Sequence, residues 1–476
     1  EESDEWVSIR PGTDGLFLAA MVNVMFAENL VTVEPRIASL LNGLDELRDA
    51  VAAFTPSAVQ EVTGVSAETT TRMARELCAA PTAAVYGRIG VNTVEFGTTN
   101  AWLIDAINVL TGNIDSRGGA MFTTPGTGSS TTRGAAGKGK GFAMGRGHSR
   151  VSNKPEVLGE YPVAVLAEEI TTPGENQVRA LITVAGNPVL STPHSNQLDA
   201  ALAELEFMVS IDIYLNETTR HADVILPPPS ALEKDHYDVG LYIYAVRNIA
   251  NYSVPVLQKD EGSPEEHEIL LKLAGILQGL GPDNDPTALE DQTVHAMVMG
   301  AVSNSGSNIH GRDADEILNM LSAGGRRGTA RNLDFALQTG PYGAAFGANP
   351  GGLSLDVLLA NPHGVDLGAL EPKMPEMLRT PSGRIELSPE VFINDLKRLK
   401  ESMVDVDLDQ MLLVGRRDLK SNNSWMHNIK VLTKGSLSCT AHIHPNDAAR
   451  IGAVTGTALR IASRVGEVQV PAEVTD

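Results

Sequence analysis

Two short stretches, about one strand–helix–strand apart, place polar groups where a nucleotide can be held. Gly186-Asn187-Pro188 turns the chain after RALITVAG (179–186), and FMVSIDIY (207–214) carries Asp212 near its end. An acid at the end of a parallel strand accepts hydrogen bonds from ribose hydroxyls, because two sets of carboxylate lone pairs match two adjacent O–H donors. Asn187 can offer its amide to a purine edge or a phosphate. The turn reads AGNP rather than GxGxxG, so a plain strand end with a capping Asp is the competing reading. Pro11-Gly12-Thr13-Asp14 stands ahead of an apolar helix, where backbone N–H groups can meet an anion or simply be capped by Thr13 or Asp14. In GRIGVN (87–92), Gly87 and Gly90 let backbone approach a ligand, or serve an ordinary turn. Arg416, Arg417 and Lys420 precede a run of short amides and hydroxyls, Ser421-Asn422-Asn423-Ser424-Trp425-Met426-His427-Asn428, which reads either as a ligand loop or as a solvated one.

Other chemistry finds less support. GAAGKGKG (134–141) matches seven places of a phosphate-binding loop. Its eighth place is Gly141, where a magnesium-holding Ser or Thr is needed, and no apolar strand feeds it. His442 and His444 alternate on one strand face and can reach a metal, but no third ligand is near in sequence. The only cysteines, Cys78 and Cys439, form no CxxC, so these residues make neither a four-thiolate cluster nor a cysteine zinc site. No serine–histidine–acid set, HExxH or paired catalytic carboxylates stand out, and no catalytic or metal-ligating residue is assigned.

The elements that must position these groups alternate. Residues 14–31 and 98–111 read as apolar helices, the second ended by Gly112, and 66–79 as a helix capped by Ser66. TAAVYG (82–87) reads as a buried strand between helices, which implies an α/β layer. From 126 to 147 composition shifts to Gly, Ser, Thr and Lys, a long loop. Strand 179–186, helix 195–206, strand 207–214 and strand 222–229 imply a parallel sheet with ligands at its carboxyl ends. Residues 261–345 are helical and loop-like, and 379–389 a turn with a short strand. Beyond 405, MLLVG (411–415), the helix 444–453 and two strands hinged at Gly466-Glu467 have the texture of a β-barrel.

With 476 residues, 42% of them hydrophobic, the chain is long enough for about three domains. A formal charge of −22 disfavours nucleic acid and anionic membranes as partners, and no apolar run is long enough for a membrane span. The first residues, EESDEW, and the last, VQVPAEVTD, read as internal, so a fragment is expected, poorly stable and inactive alone.

Five segments in order carry a resemblance. VYGRIGVNTVEFGTTNAWLIDAINVLTGNIDSRGGAMF, LITVAGNPVLSTP, VSIDIYLNETTRHADVILP, TPSGRIELSP and HPNDAARIGAVTGTALRIASRVGEVQV are similar to the molybdopterin oxidoreductases of the dimethyl sulfoxide reductase family. The resemblance implies an α/β chain with two Rossmann-like parallel-sheet domains and a C-terminal β-barrel of the double-psi type. It divides the chain into 1–150, 151–300, a connecting region 301–404 and a truncated barrel 405–476. It implies a molybdenum bis(molybdopterin guanine dinucleotide) cofactor and two-electron chemistry on a small-molecule substrate, closest to formate dehydrogenases or nitrate reductases. The alternatives are a structural or electron-transfer subunit that has lost the metal, and a non-redox hydratase on the same scaffold.

Carried onto this sequence, Gly12, Thr13 and Asp14 resemble a dinucleotide-contacting turn, and Gly90 and Thr93 the loop that meets the pterin. Gly186, Asn187 and Pro188 with Asp212, Asn216 and Thr218 resemble the second nucleotide pocket, with Asp212 on guanosine. Arg416, Asn422, Asn423, Ser424, His427 and Asn428 lie where the barrel's first loop contacts the cofactor, though these side chains depart from the commoner family pattern. Neither cysteine sits at the family's metal-ligand motif, so a 4Fe-4S cluster and the metal ligand are expected upstream. An electron-transfer subunit or redox carrier is the expected partner, and the cytoplasm the expected compartment unless an export signal precedes Glu1.

Overall fold

The computed structural model describes residues 3–404, 406–407, 410–418, 420–422, 426–427, 429–435 and 439–476. The chain falls into two units, Glu1–Leu408 and Asp409–Asp476.

The first unit begins with helix α1 (Asp14–Ala27), which has apolar residues around most of its circumference and is buried accordingly. It follows a turn in which Gly12 takes φ +83°. Thr13 occupies the N-cap position, yet its hydroxyl donates to the Arg10 carbonyl at 2.7 Å instead of capping the helix. Helix α2 (Ala67–Ala79) is capped as its sequence predicts, the Ser66 hydroxyl accepting from the Thr69 N–H. Helix α3 (Gly97–Leu110) is a second apolar rod, exposed only at Thr98 and Asp105. These helices share one core, centred on Leu16, Met25, Leu103, Ile107 and Leu110. The helix Glu390–Glu401 joins it, Phe392 stacking on Trp102 at 5.2 Å.

TAAVYG forms no ladder strand and alternates exposed with half-buried residues, which corrects the sequence reading of 82–87 as a buried strand. Side chains replace the missing strand partner. The Val85 N–H donates to Asn108 Oδ1 and the Val85 carbonyl accepts from Asn108 Nδ2, both at 2.9 Å. The Ala83 N–H donates to Asn113 Oδ1 at 3.0 Å, and the Val91 carbonyl accepts from Asn100 Nδ2 at 2.8 Å. A buried amide without partners costs about 1–3 kcal/mol, so both the backbone and the amides gain from this pairing.

A three-stranded parallel sheet follows: β1 (Ala180–Val184), β2 (Phe207–Ile211) and β3 (Val224–Ile225), in the order β1–β2–β3. Parallel neighbours need a crossover, here the helix Ser195–Leu202, whose Leu198, Ala201 and Leu202 pack on Met208. The helical expectation for 261–345 is met by Glu266–Leu277, Pro286–Ser303, Ala314–Leu321 and Gly328–Thr339.

A fully buried carboxylate ties distant segments of this unit together. Asp115 accepts from Arg36 at 2.9 Å and from the N–H groups of Lys373 and Met374 at 2.8 Å. Removing one partner from such a group leaves an uncompensated buried charge, so the arrangement fixes 373–380 against the helical core.

In the second unit, β4 (Ala441–Ile443) pairs parallel with β6 (Glu467–Val474), which pairs antiparallel with β5 (Ala458–Ala462). The helix Pro445–Ile451 appears where HPNDAARIGA predicts it and ends at Gly452, φ +68°. MLLVG forms no strand, which corrects that expectation. Among the described residues no helix is long and apolar enough to cross a membrane.

Candidate cofactor-binding sites

The structure brings Asp14 beside the loop that starts at Gly87, while Gly12, Thr13, Gly90 and Thr93 do not line the cavity between them. A cavity of about 300 Å³ is lined by Asp14 and Phe17 from the start of α1, by Tyr86 and Gly87 at the end of the segment 82–87, and by Val91 from the loop that follows. Gly87 is needed for packing, since a Cβ there would fall 2.5 Å from Ile104 Cδ1 and 2.8 Å from Val91 Cγ2. Gly90 and Gly12 have nothing among the described residues within 4 Å of a Cβ built on either. Thr93 closes the short turn Ile89–Asn92, its hydroxyl donating to the Ile89 carbonyl at 3.2 Å. The asparagines of α3 hold this loop from behind. An amide inside an apolar helix demands a partner, and that is the signal in the sequence that marks them. Arg88, within the same loop, is exposed and does not line the cavity.

The second site lies at the carboxyl ends of β1 and β2. Asn187, in the turn between Gly186 and Pro188, uses both ends of its amide. Nδ2 donates to Glu217 at 2.8 Å, and Oδ1 accepts from the Thr218 hydroxyl at 2.7 Å. The Thr218 oxygen in turn accepts from the Val189 N–H at 3.1 Å. Asn216 Oδ1 accepts from the N–H groups of Thr218 and Thr219 at 2.9 and 3.0 Å, and the Thr219 hydroxyl bonds the Tyr214 carbonyl. Thr218 and Thr219 are fully buried. Asn187, Asn216 and Thr218 are therefore builders of the loop 214–219. Asn187's amide, expected to face a ligand, is engaged by Glu217, whose own residue type and position carry no sequence signal for this role.

Asp212 differs from its neighbours. It is half-buried, Oδ1 accepts from the Tyr214 N–H at 2.9 Å, and among the described residues Oδ2 has only a 3.5 Å approach from Asn216. A carboxylate oxygen presented at a strand end beside the exposed side chains of Ile213, Tyr214 and Leu215 can accept hydrogen bonds from a flat polar ligand. Behind the loop, Asp199 binds Arg220 at 2.6 Å and His221 at 2.6 Å, and these bonds hold its carboxyl below the ordinary aspartate range. The cavity at Asp14 takes in neither Asp212 nor Asn187.

In the second unit, Arg416 hydrogen-bonds the His442 ring, and His442 Nε2 lies 3.3 Å from Glu473. His444 caps the helix Pro445–Ile451, Nδ1 accepting from the Asn446 N–H at 3.2 Å. The two histidines thus serve separate local partners. Asn422, at φ +39°, and His427 are both exposed. Asn423, Ser424 and Asn428 lie outside the described residues. Among the described residues no group of three His, Cys, Asp or Glu is placed to hold a metal. Cys78 is half-buried in α2, where burial pushes its thiol pKa up, and Cys439 is exposed.

Comparison with known proteins gives two family matches, molybdopterin oxidoreductase over residues 1–249 and molydopterin dinucleotide binding domain over 411–476. The F420-dependent formate dehydrogenase subunit alpha of Methanocaldococcus jannaschii is 28% identical over 243 residues, covering 49% of this chain and 36% of that protein. The probable oxidoreductase YoaE of Bacillus subtilis is 24% identical over 99% of this chain and 61% of its own length. The structure of acetylene hydratase from Pelobacter acetylenicus matches 99% of this chain and 63% of that one, with a TM-score of 0.66 at 16% identity, a likeness of fold. The chain thus spans less than two thirds of each of these proteins.

Proposed function

This chain belongs to the molybdopterin oxidoreductase family, of the dimethyl sulfoxide reductase type, and on that premise we propose that it cradles a molybdenum bis(molybdopterin guanine dinucleotide) cofactor in an enzyme of formate dehydrogenase or nitrate reductase character. When bound, the cofactor supplies the two-electron redox chemistry, and the protein supplies placement and electrostatics. The observation that carries the reading is Asp212. It ends a parallel strand with Oδ2 only weakly contacted, while the surrounding amides and hydroxyls are committed to holding its loop. That donor–acceptor balance fits a guanosine, whose N–H and O–H donors seek a carboxylate. The turn before α1 and the loop 87–93 offer open backbone around Gly12 and Gly90 for a second phosphorylated moiety. An electron-transfer subunit or diffusible redox carrier completes the proposed system, in the cytoplasm.

The test is chemical analysis of the purified gene product, made in cells that synthesise the cofactor. Oxidised-pterin fluorescence, acid-released GMP and metal content are measured for wild type and for Asp212→Ala. Wild type is expected to carry pterin, GMP and molybdenum. The variant should lose GMP and pterin by about tenfold or more, the worth of a hydrogen bond to a charged group. A folded wild-type product free of pterin overturns the reading.

A further inference from the structure

A stretch of opposite charge crosses this acidic chain. Between Asp115 and Glu156 there is no acidic residue, while Arg117, Arg133, Lys138, Lys140, Arg146, Arg150 and Lys154 fall there, against a net charge of −22 overall. Three of these cations are neutralised locally: Arg117 by Glu371, Arg146 by Glu156 and Arg150 by Glu169. Among the described residues, Arg133, Lys138 and Lys140 have no carboxylate within ion-pair distance of 4.0 Å.

The loop that carries them is held in place. Arg379 donates Nε to the Arg133 carbonyl at 2.8 Å and Nη2 to the Thr131 carbonyl, so this guanidinium holds backbone and brings no acid with it. The N–H groups of Gly137 and Gly141 bond the carbonyls of Glu376 and Arg379, each at 2.8 Å. At Gly139 a Cβ would lie 2.3 Å from the Arg379 carbonyl oxygen, so only glycine permits this approach. Residues 373–380 are fixed in turn by buried Asp115.

Next to Arg133 opens a cleft of about 670 Å³, lined by Arg133 and Thr132 together with Asn308, Asn349, Met297 and Phe335. Asn308 Nδ2 donates to the Gln338 carbonyl at 3.0 Å and Asn349 Nδ2 to the Gly343 carbonyl at 2.8 Å. A carbonyl can only accept, so both amides are oriented and each Oδ1 is left as an acceptor. Arg133 uses Nη2 on the Thr127 carbonyl at a long 3.3 Å, which leaves Nη1 and Nε as charged donors. Size decides the ligand class. A triatomic anion fills about the share of one or two waters, each ~30 Å³, whereas the cleft lies within the range of about 300–1,000 Å³ that holds organic ligands.

We propose that this cleft binds an organic anion, its carboxylate or phosphate on Arg133 and its body against Met297 and Phe335, and that it rejects single-centre anions for lack of contact. The site stands on its own residues and does not depend on the cofactor reading. Arg133 binds the anionic group, and Lys138 and Lys140 raise its local concentration.

The experiment is isothermal titration of the full chain at fixed ionic strength with four probes: benzoate, phenyl phosphate, benzamide and formate. Benzoate or phenyl phosphate is expected to bind at one site, with benzamide and formate about tenfold weaker or more, the scale of a lost charge-assisted bond. Arg133→Gln should weaken the aromatic anions about tenfold and leave benzamide unchanged, while Arg133→Lys restores part of the loss. Arg133 is exposed, so an unaltered Tm is expected in both variants. Wild-type affinity in Arg133→Gln overturns the site. So does benzamide or formate binding as tightly as benzoate, or no binding of either aromatic anion at millimolar concentration.

Discussion

The segment 83–91 and the loop 212–219 each present backbone and polar groups at a candidate cofactor surface, yet they are built on opposite principles. The loop grows out of a parallel sheet, where β1 and β2 share a five-residue register from Ala180↔Phe207 to Val184↔Ile211. Its side chains then bond one another and the neighbouring backbone. The segment has no ladder, and its conformation is stored in amides rooted in a buried helix, Asn100 and Asn108, with Asn113 just beyond. A sheet spreads the cost of a lost contact over many bonds, whereas a side-chain clamp concentrates it in one residue. The two surfaces are therefore expected to fail differently.

The sharpest way to break that contrast is Asn108→Leu. The substitution removes both bonds to Val85 and leaves its N–H and carbonyl without partners, so a loss of about 2–5 kcal/mol is expected. Denaturant unfolding measures the total. Hydrogen exchange should show 83–91 opening while the amides of β1 and β2 keep their protection. Equal deprotection of both regions would erase the distinction. Thr218→Val is the counterpart on the sheet side. It loses the bond to Asn187 and the acceptor for the Val189 N–H, at about 1–3 kcal/mol, with exchange rising in 186–191 and 214–219 only. A larger loss than for Asn108→Leu would invert the ranking.

The same contrast explains what could be read from the amino acids. The parallel strands were legible because apolar runs between turn signals leave few alternatives. The helices were legible from their periodicity and from stops such as Ser66 and Gly112. TAAVYG looked the same, because an apolar extended run carries no mark of whether its partner is a strand or an asparagine amide. MLLVG misled for a similar reason: β-propensity expresses a fit to a packed sheet surface, and where no strand is formed the run stays irregular. Asp212 was legible from its place at a strand end. Glu217 was not, since its role arises only when the turn at Asn187 folds back beside it. Arg133 and its cleft were hidden because 126–147 reads as linker, and the residues facing it come from more than 160 positions further on.

Asp212→Asn separates holding the loop from binding a ligand. Asparagine keeps an Oδ1 acceptor for the Tyr214 N–H, so stability should change by less than about 1 kcal/mol, the worth of an ordinary hydrogen bond. Pterin and GMP content should nevertheless fall, because the anionic acceptor is gone. A variant that unfolds would make Asp212 part of the frame.

Acid provides the mildest probe of the two surfaces. The clamp on 83–91 consists of neutral amides and has no titrating partner. The loop is anchored at its far end by Asp199, whose carboxyl is depressed by hydrogen bonds from Arg220 and His221. A depressed folded-state pKa contributes stability that is complete above the unfolded value of about 3.9 and is lost as pH falls through the folded value. Exchange in 216–221, corrected for its intrinsic pH dependence, should therefore rise as the solution is taken below about pH 3.9, while 83–91 stays protected. Asp199→Asn should reduce that pH dependence, with less difference between pH 3 and pH 6 than in wild type. Acid opening of 83–91 first would mean that charge, not amide pairing, sets the stability of the first surface.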